Sequence, residues 1–233
     1  MDSVLTETQR RFLEAFFTSG PISTHFYLSG GTALAGFYLH HRLSDDIDLF
    51  TRDVAQIMRA RERIEASITA CALEITARRE IEEERREYLE YKLQGDPHPT
   101  HPLRKIDVVR DTDPIFSPPE LYGVIRVDSL LNIAVNKVAA IFSRSDEAKD
   151  YVDLYFILKT QPFDLDALLP MAAQKDLGFD ELRFAASLAG VSGLGRLVPF
   201  LERYMVKPLR VDDLVRFCEE TAARIFDRHP PRG

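Results

Sequence analysis

The chain is poor in cysteine, has a deficit of positive charge and contains no long apolar run. Cys71 and Cys218 are its only cysteines, and their wide separation does not match a metal-binding spacing, so we expect free thiols in a reducing compartment. The formal net charge of −7 argues against a generally basic surface that coats nucleic acid, although it leaves room for a local basic groove. Because no apolar run approaches the length of a bilayer crossing, we expect a cytoplasmic protein without membrane contact.

The 233 residues, 45% of them hydrophobic, suffice for one sizeable core or for two small lobes. A proline-rich stretch at residues 111–123 separates two patterns: strands and helices alternate before it, and an almost wholly helical pattern follows it. The sequence therefore predicts an α/β (α+β) fold. Residues 1–123 would form a mixed sheet with covering helices, and residues 124–233 would form a helical C-terminal lobe.

Apolar periodicity predicts the elements of both lobes. Strands are expected at residues 26–28, 46–50, 73–77, 87–93 and 103–109. Helices are expected at residues 6–18, 32–41, 54–71 and 128–142, and in four further segments between residues 165 and 226. The charged residues 78–86 are typical of a solvated hairpin end. The loop histidines His98 and His101 are either metal ligands or, as is usual for histidines in loops, face water, and we expect the latter.

A glycine turn joins the first predicted strand to the helix that follows it. The sequence Ser29-Gly30-Gly31-Thr32 breaks the apolar run and opens the helix. Adjacent glycines let backbone N–H groups approach a ligand, and the first turn of a helix leaves N–H groups unpaired with positive dipole character, so a phosphate chain would fit there. The turn is not a Walker A loop, because no Gly-Lys-Ser/Thr closes it, and it lacks the third spaced glycine of a dinucleotide site.

Two carboxylates share one face of the next predicted strand. Alternation along that strand projects Asp46 and Asp48 from one side, while Ile47 and Leu49 point into a core. Close like charges require a cation between them, and an oxygen-rich anionic site suits Mg²⁺ or Mn²⁺. The alternative interpretation is a solvated turn of acidic residues. The glycine turn upstream favours the metal interpretation, because it would bring phosphate and metal together.

Three further charged residues have one structural and one functional interpretation each. Arg42, at the end of the helix, either offsets the helix dipole or meets a carboxylate or phosphate. Asp107 lies in an apolar strand and is either paired with Lys105 or bound to metal. Lys137, at the edge of the apolar stripe of its helix, either extends to solvent or points into a cleft where it would neutralise a triphosphate.

The motifs resemble those of the AbiEii/AbiGii-type nucleotidyltransferase toxins, within the polymerase-beta-like nucleotidyltransferase superfamily. The resemblance rests on Gly30-Gly31-Thr32-Ala33-Leu34, on His41-Arg42 and on Ser44-x-Asp46-Ile47-Asp48-Leu49. A second signature, a Lys-x-x-Ala helix followed by an Arg/Lys-Asp-x-x-Asp-Leu helix, is similar to the sequence from Lys137 to Leu154. Thr32 stands where relatives carry serine, which keeps the hydroxyl.

The resemblance implies a nucleotidyltransferase-like sheet and a metal-dependent transfer of a nucleoside monophosphate from an NTP to an acceptor hydroxyl. In this interpretation Asp46 and Asp48 hold two Mg²⁺ ions, and Asp107 is the third carboxylate. Nucleotide-binding residues would be Ser29, Gly30, Gly31, Thr32, Arg42, Lys137, Asp150 and Asp153. Lys137 would balance the charge of the leaving pyrophosphate. Of Asp150 and Asp153, one would anchor Lys137 or Arg144 and the other would face the nucleotide.

Family resemblance also implies partners: a tRNA acceptor and a separately encoded antitoxin. Two alternatives remain open from the sequence. One is a small-molecule nucleotidyltransferase of the antibiotic-modifying type, which the acidic net charge mildly favours. The other is a regulatory module that binds NTP without turnover.

Overall fold

The computed structural model describes residues 4–18, 20–83 and 86–229. These residues form two compact units. The first runs to Thr112 and includes Ser117–Leu130, and the second comprises Asp113–Phe116 and the chain from Leu131 onward. The predicted boundary at residues 123 and 124 falls in a turn of the first unit, and it stays a prediction.

A mixed sheet forms the body of the first unit. Its strands are β1 (Phe26–Ser29), β2 (Asp46–Thr51), β3 (Glu74–Glu83), β4 (Arg86–Gln94), β5 (Lys105–Arg110), β6 (Glu120–Tyr122) and β7 (Ile125–Val127). They lie in the order β3-β4-β5-β2-β1-β7-β6. Strand β2 pairs parallel with β5 and antiparallel with β1, so that β2 lies at the centre of the sheet.

Two helices cover one face of this sheet. Helix α1 (Glu7–Phe17) begins at a capping box made by Thr6 and Gln9, and α3 (Val54–Ala70) begins at Asp53, whose carboxylate accepts a hydrogen bond from the backbone N–H of Ala55. Helix α1 packs against α3 and β7, and the fully buried side chains of α3 pack against the apolar positions of the central strands. Those positions are Ile47 and Leu49 of β2 and Ile106 and Val108 of β5. The opposite face therefore receives the polar positions of the same strands.

Strands β3 and β4 are longer than the sequence predicts. The charged stretch expected at a hairpin end continues the antiparallel ladder as far as Glu83, with Glu82 paired to Glu87. Residues 84 and 85 lie outside the described part of the chain. Backbone ladder hydrogen bonds do not depend on the polarity of the side chains, so a charged strand can stay paired.

The second unit is helical, as predicted. It contains most of α4 (Leu130–Ser143), together with α5 (Ala148–Thr160), α6 (Leu165–Lys175), α7 (Glu181–Ala189), α8 (Leu197–Tyr204) and α9 (Val211–Arg228). Asp164 and Asp180 cap the N-termini of α6 and α7 with hydrogen bonds to backbone N–H groups. Helix α9 packs against α5, α7 and α8 around fully buried Leu154, Phe184 and Leu188. Within the described ranges, none of the helices is both long and apolar enough for a membrane crossing.

Candidate active site

The glycine turn brings two charged side chains against the backbone. β1 ends at Ser29, and helix α2 (Gly30–Ala33) begins at once and continues as a π-helical segment, Leu34–Leu39. Gly30 has φ +71°, and a Cβ built there would lie 2.2 Å from Oδ2 of Asp48. A Cβ built on Gly31 would lie 2.4 Å from Nη2 of Arg42. The two glycines therefore make room for a carboxylate and a guanidinium.

The hydroxyl groups of the turn connect it to neighbouring strands. Ser29 is 2% exposed, and its Oγ donates a hydrogen bond of 2.8 Å to Oδ2 of Asp128, just beyond β7. Thr32 is 1% exposed, and its Oγ1 donates to the backbone carbonyl of Asp46. The side chain of Thr32 thus fixes the start of the acidic strand. Any role of this turn in binding phosphate would rest on its backbone N–H groups.

Arg42 is buried beside the turn. Its Nη1 donates a hydrogen bond of 2.8 Å to the carbonyl oxygen of Leu43, and its guanidinium reaches Gly31. His101, in the loop before β5, is also buried: its Nδ1 lies 3.1 Å from Oδ1 of Asp45. The expectation that this histidine faces water is wrong, because its contact with Asp45 holds the ring inside.

A row of polar residues crosses the open face of the sheet. Burial alternates along β2, as predicted, and leaves Asp46 and Asp48 on the face opposite Ile47 and Leu49. In the parallel register of β2 and β5, Asp48 lies opposite Asp107, and Asp46 lies opposite Lys105. The antiparallel register of β4 continues the row by placing Glu90 opposite Asp107. The two strands that flank β5 therefore both carry an acid beside Asp107.

Lys105 is the cation in contact with Asp107 in this row. Its Nζ lies 2.6 Å from Oδ2 of Asp107 and 3.8 Å from Oδ2 of Asp46. The hydroxyl of Tyr88 lies 2.7 Å from Oδ1 of Asp107 and 2.9 Å from Oε2 of Glu90. Both carboxylate oxygens of Asp107 thus accept a hydrogen bond. The ion pair between Asp107 and Lys105, which is the structural interpretation given above for Asp107, is therefore observed.

The surroundings of Lys105 and Tyr88 keep both groups protonated. Burial lowers the pKa of Lys105, but the hydrogen bond to Asp107 and the charges of Asp46, Asp107 and Asp48 outweigh it, so the pKa lies above its ordinary value. Burial raises the pKa of Tyr88, and its hydrogen bond to Asp107 adds to the increase. At neutral pH the row therefore contains an ammonium and a phenol that both donate to Asp107.

The donor atoms of the row have the chemistry that a divalent cation prefers. Asp46, Asp48 and Asp107 offer carboxylate oxygens only, which suits Mg²⁺ or Mn²⁺. In the described residues, however, no group of three histidine, cysteine, aspartate or glutamate side chains is assembled to hold a metal. The three carboxylates have the donor chemistry that a divalent ion needs, and the ammonium of Lys105 already supplies positive charge beside them.

Lys137, Asp150 and Asp153 form a buried ion cluster in the helical unit. The Nζ of Lys137, on α4, lies 2.8 Å from Oδ1 of Asp150 and 2.7 Å from Oδ2 of Asp153, both on α5. Both carboxylates are fully buried, and Lys137 is 5% exposed. Arg144 adds a second cation, with Nε 3.0 Å from Oδ2 of Asp150. Lys137 does not extend to solvent, and Asp150 anchors both predicted cations.

Sequence reasoning missed Tyr88 and Glu90 as members of the polar row. The period of β4 does place them on one face of that strand, together with Lys92. Their position next to Asp107, however, depends on the register of β4 against β5, which the alternation within one strand does not fix. The missing information is therefore the pairing between strands.

A model of a known protein family matches most of the chain. A family model described as nucleotidyl transferase AbiEii toxin of type IV toxin–antitoxin systems matches residues 11–217. Among curated proteins, none matches.

Several solved structures share the fold. JHP933 from Helicobacter pylori is 17% identical, with 95% of this chain and 90% of that chain covered and a TM-score of 0.61. A candidate nucleotidyltransferase from H. pylori is also 17% identical, with 96% and 97% covered and a TM-score of 0.63. MenT4, a nucleotidyltransferase toxin from Mycobacterium tuberculosis, is 16% identical, with 94% and 82% covered and a TM-score of 0.55.

These comparisons confirm the predicted family, fold class and enzyme class. Sequence identities this low show a common fold only, so the role of a residue in those proteins is not transferred to a residue of this chain. The family match extends over residues 11–217, which is most of both units. The chain belongs to the AbiEii nucleotidyltransferase toxins of type IV toxin–antitoxin systems.

Proposed function

We propose that this enzyme transfers a nucleoside monophosphate from an NTP to a hydroxyl of tRNA, in a reaction that depends on Mg²⁺ or Mn²⁺. The observation that carries the proposal is the register of β2 against β5, because it sets Asp48 opposite Asp107 and next to the glycine turn. Acids beside a backbone turn at a helix start are the combination that a metal-bound polyphosphate needs.

Asp46, Asp48 and Asp107 are the residues that would hold the divalent ions. Bound ions would neutralise the charge that develops on the transferring phosphoryl group and on the leaving pyrophosphate. Gly30, Gly31 and Thr32 would receive the β- and γ-phosphates through backbone N–H groups. Their part in catalysis is to orient the triphosphate, since alignment of the reacting atoms supplies much of the rate in phosphoryl transfer.

In the chemical step the acceptor hydroxyl oxygen bonds to the α-phosphorus. The bond from that phosphorus to the bridging oxygen breaks, and pyrophosphate leaves with the bonding electrons. We assign Asp107 as the acceptor of the hydroxyl proton, because its carboxylate lies in the row beside Asp48. The role of Lys137 as countercharge for pyrophosphate stays a prediction from the motif resemblance; within the helical unit, its ion pairs with Asp150 and Asp153 hold the ammonium in one position.

Family membership supports the proposed partners. Type IV toxin–antitoxin systems pair a toxin with an antitoxin, which supports a cognate antitoxin for this chain. The tRNA acceptor follows from the motif resemblance to toxins that modify the acceptor end of tRNA. A cytoplasmic location, where NTPs and tRNA are both present, belongs to the same proposal.

A small-molecule acceptor is the second candidate. The formal net charge of −7 favours it, because a polyanionic RNA is repelled by an acidic protein unless a local basic groove grips it. Both candidates use the same transfer chemistry at the same residues. They differ in the acceptor alone.

The test is incubation of the purified protein with each labelled NTP and Mg²⁺, with total tRNA, with a small-metabolite extract or with no acceptor. Label on tRNA that requires both the metal and the wild-type acids supports the proposal. Label only on small molecules supports the second candidate. NTP binding without transfer to any acceptor contradicts both.

A further inference from the structure

Lys105 occupies the place where the proposed metal site needs positive charge. It lies on β5, two residues before Asp107, and the parallel register sets it directly opposite Asp46. Its ammonium contacts carboxylates of two strands, at 2.6 Å from Asp107 and 3.8 Å from Asp46. The lysine side chain is 31% exposed, so solvent reaches it only in part.

The carboxylates need such a cation when no metal is bound. Asp48 and Asp107 are direct neighbours across two strands, and Asp46 lies two residues from Asp48 on the same face. Adjacent negative charges in a partly buried site repel each other and disfavour the folded state unless a cation lies among them. The ammonium of Lys105 supplies that charge from within the chain.

A divalent ion and this ammonium compete for the same oxygens. Oδ2 of Asp107 accepts a short hydrogen bond from Lys105, and an oxygen in such a contact has less capacity for a metal. Assembly of three carboxylates around one ion therefore requires Lys105 to move away from Asp107. Its flexible four-carbon stem permits that movement without a change in the strand.

We propose that Lys105 is a built-in cation that holds Asp46 and Asp107 together in the metal-free enzyme and is displaced when the divalent ion binds. The inference rests on the proposed metal dependence of the enzyme and adds a positioning residue to it. Lys105 would keep the acids in their folded arrangement between turnovers. It would also weaken metal binding, so that tight occupancy needs the additional ligands that an NTP brings.

The chain offers a matched control on the neighbouring strand. Lys92 of β4 lies opposite Lys105 in the antiparallel register, on the same face of the sheet, and is exposed. In the parts of the chain that the structure describes, no carboxylate lies within ion-pair distance of its ammonium. Lys92→Met changes the net charge by the same amount as Lys105→Met and leaves the contacts of the acids unchanged.

The main experiment measures Mn²⁺ binding by calorimetry to EDTA-stripped full-length protein without NTP. We expect Lys105→Met to bind Mn²⁺ about tenfold more tightly than the wild type, equivalent to about 1.4 kcal/mol, because the competing charge is gone. Lys105→Arg, which keeps the charge, and Lys92→Met are expected to bind with nearly wild-type affinity. Equal affinity in Lys105→Met and the wild type, or a loss of affinity in Lys105→Met, overturns the proposal.

Thermal unfolding separates displacement from a purely structural ion pair. We expect the melting temperature of Lys105→Met to be below that of the wild type in EDTA and to recover when Mn²⁺ is added, since the ion replaces the missing charge. A structural pair that persists in the metal-bound enzyme predicts the same loss in both conditions, and that result contradicts the proposal.

A third measurement uses the wild-type protein, so it holds even if Lys105→Met does not fold in EDTA. Acetylation by acetic anhydride, read for each peptide by mass spectrometry, reports how accessible each amine is. Mn²⁺ is expected to increase the acetylation of Lys105 and to leave that of Lys92 unchanged. No increase at Lys105 at saturating Mn²⁺ overturns displacement.

These results are independent of nucleotidyl transfer. If Mn²⁺ competes with Lys105 in the wild type but the wild type labels no acceptor, the displacement of Lys105 is supported and the proposed function is contradicted. If the wild type labels tRNA but Lys105→Met binds Mn²⁺ with wild-type affinity, the proposed function stands and the displacement of Lys105 is contradicted.

Discussion

The Cα of Gly30 lies so close to the carboxylate of Asp48 that a methyl group placed on it would be 2.2 Å from Oδ2. This contact connects the turn at the end of β1 to the acidic strand β2. The φ of +71° at Gly30 orients the backbone so that the carboxylate can approach it. The predicted phosphate-binding turn and the predicted metal ligands are therefore in direct contact.

Gly30→Ala is expected to destabilise the protein and to abolish transfer. The alanine would carry the strain of a positive φ, about 1–2 kcal/mol, and its methyl group would also displace the Asp48 carboxylate. Gly123→Ala is the matched control: Gly123 has φ +62°, and a Cβ there meets no atom within 4 Å. Urea unfolding and the transfer assay should show backbone strain in both variants and loss of transfer in Gly30→Ala alone. Equal activity in the two variants would show that the Asp48 contact is unimportant.

Asp48→Asn is expected to reduce transfer by about a hundredfold or more, because the variant loses an ionised metal ligand while its shape is kept. Asp227→Asn, on an exposed position of α9, is the control for the change of charge. Circular dichroism would verify the fold. Transfer by Asp48→Asn at the wild-type rate would remove the metal argument.

Local patterns in the sequence predict the parts of the site that lie within one element. The period of two along β2 places Asp46 and Asp48 on one face, and the burial of Ile47 and Leu49 on the other face confirms it. The strand, glycine turn and helix at residues 26–39 are also recognisable, because short-range signals define each of them. The same holds for the capped helices α6 and α7.

Contacts between distant segments are not predictable in this way. Ser29 bonds to Asp128, Tyr88 bonds to Asp107, and Gly31 receives the guanidinium of Arg42. Each contact depends on a strand register or a loop path that tertiary packing selects, and the alternation within a strand is compatible with several registers. The sequence alone therefore predicts that Asp107 belongs to the site, but it does not predict which side chains orient its carboxylate.

Both cysteines are expected to resist alkylation in the folded protein. Cys71 and Cys218 are buried free thiols, and burial raises the pKa of each, that of Cys218 to about 12. Compared with the ordinary value of 9.0, a pKa of about 12 reduces the thiolate fraction near pH 8 about a thousandfold. Mass spectrometry after iodoacetamide should find no adduct in native protein and two adducts after unfolding in guanidinium. Rapid native labelling of Cys218 would contradict its burial.

Lys137→Met is expected to destabilise the helical unit strongly. The substitution would leave Asp150 and Asp153, both 0% exposed, without the ammonium that contacts them, and loss of one partner in a buried pair typically costs about 3–5 kcal/mol. Lys149→Met is the control, because Lys149 is a partly exposed lysine whose ion pair with Glu147 is long, at 3.8 Å, and an effect within about 0.5 kcal/mol is expected there.

A double variant distinguishes the structural role of Lys137 from its proposed role toward pyrophosphate. Adding Asp153→Asn to Lys137→Met removes one of the two buried carboxylate charges that the ammonium contacted, so the double variant should be more stable than Lys137→Met alone. Transfer should stay low in both, because neither restores the countercharge. Recovery of both stability and transfer in the double variant would show that Lys137 acts only in the ion cluster. A Lys137→Met protein with wild-type stability and a raised KM for NTP would show instead that its main partner is the nucleotide.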